Sequence, residues 1–145
     1  MPDKPKVTMY TDGSAPQNAQ GHGRGGYCAI LVCEGHEKVV SGGLNNTTNN
    51  IAELTAILEG LRAIKTSCEV KIVTDSNFCI GTLSLGWKRK DFDCAKVSKQ
   101  IDELIAHNGH KVSFEHVDGH SGHEYNERAD SIARAEADRV LWNNR

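Results

Sequence analysis

No stretch of this sequence approaches the roughly 20 apolar residues that a bilayer-spanning helix needs, so a helical membrane protein is excluded. The opening Met1-Pro2-Asp3-Lys4-Pro5-Lys6 has no apolar core behind it, and no secretory signal is expected. There is no C-x-x-C pair. The five cysteines (Cys28, Cys33, Cys68, Cys79, Cys94) are odd in number and scattered, which suits free thiols in a reducing cytosol better than a disulfide framework. Excess positive charge is missing too. The 17 Lys and Arg against 19 Asp and Glu leave −2, which argues against holding nucleic acid by bulk charge alone. That balance still admits a site whose carboxylates bind divalent cations, since bound cations reverse the local field. No repeat, low-complexity tract or linker interrupts the 145 residues, enough for one domain with a real core. The expectation is a single domain over residues 1–145, cytoplasmic and monomeric.

What is present reads as alternating elements. Val7–Thr11, Tyr27–Cys33 and Val39–Leu44 are apolar, β-branched stretches punctuated by Gly25-Gly26 and Glu34-Gly35, and they predict a meander of antiparallel strands. Ile51, Leu54, Leu58, Leu61 and Ile64 share one face of a helix, with Thr47, Thr48 and Asn49 as candidate N-caps. Val70–Thr74 predicts a buried strand, and residues 76–83 a brief helix. Val97, Ile101, Leu104 and Ile105 mark another helix, which Asn108-Gly109 ends. Lys111–Val117 alternates as a last strand, and a final helix spans Glu124 to Leu141. The order βββαβααβα is a mixed sheet with helices, α/β in the broad sense. The Gly- and Gln/Asn-rich segment from Ala15 to Arg24 is expected to be a mobile loop.

Four acidic residues occupy telling places in this order. Asp12 ends the first strand and Asp75 the fourth; Glu53 lies near the start of the long helix and Asp130 early in the last one. If the first and fourth strands are neighbours, all four can converge at one sheet end. Clustered carboxylates raise one another's pKa and call for a cation. Mg²⁺ and Mn²⁺ favour such hard oxygen ligands, and paired ions activate water and stabilise a leaving oxygen in phosphodiester hydrolysis. Each residue also has a plain structural reading. Asp12-Gly13 is a common turn pair, Asp75 or Ser76 can cap a helix, Glu53 can be solvated, and Asp130 can pair with Arg134 at i,i+4.

The local sequences decide between these readings. Thr11-Asp12-Gly13-Ser14, Gly25-Gly26-Tyr27, Thr47-Thr48-Asn49-Asn50-Ile51-Ala52-Glu53-Leu54, Thr74-Asp75-Ser76-Asn77 and Gly119-His120-Ser121-Gly122-His123 ahead of Asn126-Glu127-Arg128-Ala129-Asp130 run in one order along nearly the whole chain. Together they resemble ribonuclease H of type 1. The resemblance implies a ribonuclease H-like α/β fold, a five-stranded mixed sheet with three antiparallel strands first and flanking helices. It implies an endonuclease that hydrolyses the RNA strand of RNA–DNA hybrids, leaving 5′-phosphate and 3′-hydroxyl ends. By the same likeness Asp12, Glu53, Asp75 and Asp130 would bind two Mg²⁺ ions, with Mn²⁺ able to substitute. His120 would assist proton transfer or product departure, a role that suits an imidazole with an ordinary pKa near 6.5. Gly13, Ser14, Thr48, Asn49, Asn50, Ser76 and Asn77 would face the substrate, whose shape and 2′-hydroxyls need no reading of base sequence.

The likeness thins between Gly81 and Val97, where many bacterial relatives carry an additional basic helix. Trp87-Lys88-Arg89-Lys90 stands as a possible remnant, with Trp87 either in the core or packed beneath a substrate backbone. Three alternatives stay open on the sequence: another carboxylate nuclease of the same broad fold, a hybrid-binding module without catalysis, and a zinc site of His116, His120 and His123.

Overall fold

The computed structural model describes residues 4–16, 23–119 and 122–143. Three strands come first, β1 (Lys6–Ser14), β2 (Gly23–Cys33) and β3 (His36–Thr47). They are followed by α1 (Asn49–Arg62), β4 (Glu69–Thr74), α2 (Asn77–Ser84), α3 (Phe92–Asn108), β5 (Lys111–His116) and α4 (Glu124–Asn143). The strands form a five-stranded sheet in the order β3-β2-β1-β4-β5. It is antiparallel from β1 through β2 to β3, and parallel from β1 through β4 to β5. This is the mixed sheet and element order expected from the sequence.

Local chemistry sets the element ends. Glu34 and Gly35 close the β2–β3 hairpin at φ of 50° and 80°, the doubly positive turn whose twist matches antiparallel strands. Of the three candidate caps for α1, Thr48 serves: its hydroxyl accepts the Ile51 N–H at 3.2 Å. Ser76 caps α2 by accepting from Cys79 N, and Asp91 caps α3 by accepting from Cys94 N. Gly109 ends α3 in the left-handed conformation, φ 67°. That cap at Asp91 starts α3 a turn and more before Val97, where the apolar periodicity first becomes visible.

Side chains of a strand alternate between the sheet's two faces, so one strand supplies two cores. Met9, Leu31, Val70 and Ile72 meet Leu54, Ile57 and Leu61 of α1 and Ile101 of α3 on one face. Cys28 and Ile30 meet Ala129 and Ala133 of α4 on the other. The second layer is built from small residues. Gly25 and Gly26 lie inside β2 and do not punctuate it: Gly25 is crowded by Thr47 and the Ser14 carbonyl, and α4 rests directly on Gly26. A Cβ on Gly26 would stand 2.3 Å from the Ala133 carbonyl oxygen and 2.6 Å from Ala137 N. The alanine face of α4 and Gly26 of β2 therefore bring helix and sheet backbones together. No helix among the described residues is long and apolar enough to cross a membrane.

Replacing Gly26 by Ala must push α4 off the sheet. Overpacking of this kind lowers stability by about 1–3 kcal/mol, read as a lower midpoint of urea unfolding at unchanged slope. An unchanged midpoint would contradict this packing.

Candidate metal centre

Strand register brings the first two carboxylates together. Tyr10 of β1 pairs with Val73 of β4 in parallel, so two residues further along each strand Asp12 comes beside Asp75 at the sheet's carboxyl end. Glu53 arrives from the second turn of α1. Its approach depends on Gly13, which belongs to β1 and not to a turn. A Cβ at residue 13 would lie 2.4 Å from both Ala52 C and Glu53 N, so a larger residue would drive α1 away. The Gly13 N–H donates to Asp12 Oδ1 at 2.9 Å and to Glu53 Oε1 at 2.8 Å. Ligand oxygens of Asp12, Glu53 and Asp75 all lie within 4.8 Å of one another. Among the described residues this is the one group of acidic, histidine or cysteine side chains close enough to share an ion.

Asp12 is only 4% exposed. Burial, then the charge of Asp75, pushes its carboxyl up to about 8. Burial also raises Glu53 well above the ordinary carboxylate range, with Asp12 and Asp75 adding to it. Among the described residues no ion pair reaches Asp12, Glu53 or Asp75. Hard oxygen donors that repel one another fit a divalent cation.

Asp130, on the second turn of α4, stands differently. It adjoins Asp12, raising that group's pKa through both a hydrogen bond and its charge. Yet it lies outside the 4.8 Å group. Arg134 takes both of its oxygens, Nη2 to Oδ2 at 2.9 Å and Nε to Oδ1 at 3.3 Å. The i,i+4 pairing of Asp130 with Arg134 that the sequence allows is therefore formed.

The remaining candidates ring the same end of the sheet. Thr48 and Ser76 are occupied as caps, while Asn50 and Asn77 are exposed at the first turns of α1 and α2. Asn49 ties α1 to the end of β1, its Oδ1 accepting the Ala15 N–H at 2.8 Å, and its amide NH₂ is left to donate elsewhere. Ser14 is half-buried at the last position of β1. His120 and residues 17–22 of the segment expected to be mobile, Ala15 to Arg24, lie outside the described residues; of its ends, Ala15 is buried and Gly23 and Arg24 begin β2. Gly119, the residue before His120, sits against Asp75: a Cβ there would be 3.0 Å from Asp75 Oδ2. No periodicity signals that contact; the sequence offers only the glycine that opens Gly119-His120-Ser121-Gly122-His123. Cys79, fully buried, has its thiol pushed up by burial and then by the charge of Glu53, so it is inert.

The basic stretch is divided in its roles. Arg89 turns inward to Asp102 at 2.8 Å and to the Thr82 carbonyl at 3.3 Å, bracing α2 against α3. Lys88 and Lys90 are exposed. Trp87 is half-exposed, its ring lying over Gly81 of α2.

The raised carboxyls carry a pH consequence. Without metal, the folded protein keeps a proton on Asp12 that the unfolded chain, with its carboxyl near 3.8, has already lost. Stability of the metal-free protein therefore falls as pH rises from about 4 to about 8, by up to about 1.4 kcal/mol per pH unit for each such proton. Thermal unfolding in EDTA and in Mg²⁺ across this window tests it: the decline should appear in EDTA and be relieved by Mg²⁺. A flat profile in EDTA would contradict it.

Residues 4–138 match the sequence model of the RNase H family. Over 145 aligned residues the chain is 40% identical to Ribonuclease H of Pseudomonas fluorescens (strain Pf0-1), covering 92% of each. The N-terminal RNase H domain of a Mycobacterium tuberculosis protein superposes with a TM-score of 0.82 at 26% identity, covering 97% of this chain and 99% of that one. LC11-RNase H1, isolated from compost and solved in complex with an RNA/DNA hybrid, shares the fold with a TM-score of 0.81 at 24% identity, covering 93% and 99%. With the family match spanning both strand ends that carry Asp12 and Asp75, the chain belongs to the ribonuclease H family of enzymes, which cleave the RNA of RNA–DNA hybrids.

Proposed function

We propose that this chain, as one monomeric cytoplasmic domain, hydrolyses the RNA strand of RNA–DNA hybrids at a centre of Asp12, Glu53, Asp75 and Asp130 that holds two Mg²⁺ ions. The observation that carries the reading is the trio of carboxylates within 4.8 Å of one another, gathered where the ends of β1 and β4 meet α1. Two bound ions would supply an activated water and a stabilised leaving oxygen, giving 5′-phosphate and 3′-hydroxyl ends; Mn²⁺ has the same preference for oxygen ligands.

The chain's own residues do the holding and orienting. The Gly13 N–H fixes the Asp12 and Glu53 carboxylates relative to each other. Asn49, Asn50 and Asn77 present amides that can donate to and accept from 2′-hydroxyls and donate to backbone oxygens, with Gly13, Ser14, Thr48 and Ser76 lining the same rim. Lys88 and Lys90, beside the half-exposed Trp87 ring, suit a nucleic-acid backbone crossing α2. His120 moves a proton at the departing oxygen or speeds release of the product.

An end-labelled RNA strand annealed to DNA tests this in Mg²⁺, Mn²⁺ or EDTA, with all-DNA and all-RNA duplexes as controls. Metal-dependent cutting confined to the hybrid's RNA is expected. Asp12→Asn and Asp75→Asn should each lower the rate by about a hundredfold or more, since a metal ligand's charge is worth several kcal/mol in the transition state. His120→Ala should slow turnover without abolishing it. Full activity in Asp75→Asn would refute the centre, and tight hybrid binding with no cutting by the folded wild type would make the chain a binding module.

A further inference from the structure

The four carboxylates are not equivalent. Among the described residues no ion pair reaches Asp12, Glu53 or Asp75, whereas Asp130 is already paired with Arg134. The Arg134 guanidinium grips both Asp130 oxygens, one turn along α4, in the fork geometry that suits a carboxylate best. Asp130 also acts directly on Asp12. The guanidinium thus stands at the edge of the acidic cluster, where it offsets part of the charge that Asp130 brings. Its own side chain is 58% exposed, against 27% for Asp130. It can therefore swing into water at little cost, while the carboxylate stays in place.

We propose that Arg134 is a positioning residue for metal binding: it holds Asp130 in the metal-free enzyme and competes with a divalent cation for that carboxylate. This rests on the reading of the four carboxylates as a metal centre. Asp130 becomes a full ligand only as the guanidinium yields, so the ion that uses Asp130 binds more weakly than the ion held by Asp12, Glu53 and Asp75. Arg134 keeps the cluster partly neutralised when no ion is bound, and sets the concentration at which the centre fills.

Metal-stripped protein is titrated with Mn²⁺ at pH 7 and low salt, with free Mn²⁺ read by its paramagnetic resonance signal and no substrate present. Thermal unfolding in EDTA confirms that each variant is folded. Arg134→Gln should tighten the weakest resolved ion about two- to fivefold, or bring an additional ion into range, as loss of one exposed ion pair allows. Arg134→Lys, which keeps the charge but not the fork, should fall between. In an Asp130→Asn background, Arg134→Gln should make no difference. Arg139→Gln, whose partner is Glu136, should bind Mn²⁺ as the wild type does. Superimposable isotherms for wild type and Arg134→Gln would overturn the inference while leaving the metal centre standing. A gain that persists in Asp130→Asn would overturn it too. Absence of Mn²⁺ binding by the wild type would remove the metal centre and the inference together.

Discussion

The Gly13 N–H donates at once to Asp12 Oδ1 and Glu53 Oε1, and the site is organised around that shared contact. It requires the backbone of α1 to lie against the end of β1 more closely than any side chain at residue 13 would allow. The Thr48 cap and the bond from Ala15 N to Asn49 hold the start of α1 at that distance. One N–H offsets only a fraction of the repulsion between the two carboxylates. Burial first, and then that remaining repulsion, raises the pKa values of Asp12 and Glu53.

A folded chain tolerates such a cluster because the core elsewhere is well filled. Met9, Leu54, Ile57, Leu61, Ile72 and Ile101 are fully buried between the sheet and α1 and α3. Each contributes about 1.5–3 kcal/mol by leaving water. On the opposite face, small residues bring α4 close enough for Asp130 to reach the edge of the cluster. The two helices that deliver Glu53 and Asp130 thus approach from opposite sides of β1, and both depend on a glycine in a strand.

The element order was fully legible, because the apolar spacing of Ile51 to Ile64 and the unbroken run Val70–Thr74 leave little choice of local structure. Boundaries were less so. Gly25-Gly26 looks like punctuation to local rules, yet it sits within β2, with Gly26 under α4. Likewise Asp12-Gly13 suits a turn, but the strand runs on through Ser14. In both places a neighbouring helix dictates the glycine, and helix contacts leave no local trace. Thr47, Thr48 and Asn49 were equivalent as caps on sequence; only the path of the chain out of β3 selects Thr48 and frees Asn49 to bind Ala15.

The sequence by itself determined which side chains could serve the chemistry: four carboxylates in the family's order, with hydroxyls and amides beside them. Those identities and spacings are local facts that survive without a fold. Only the tertiary structure decided their relations. Parallel pairing of β1 with β4, distant in the chain, sets Asp12 beside Asp75. The packing of α1 buries Glu53 with them, whereas α4 leaves Asp130 outside the trio and in the grip of Arg134. Electrostatic energy depends on distance and burial, and neither is written in a linear order of residues until strands pair and helices dock.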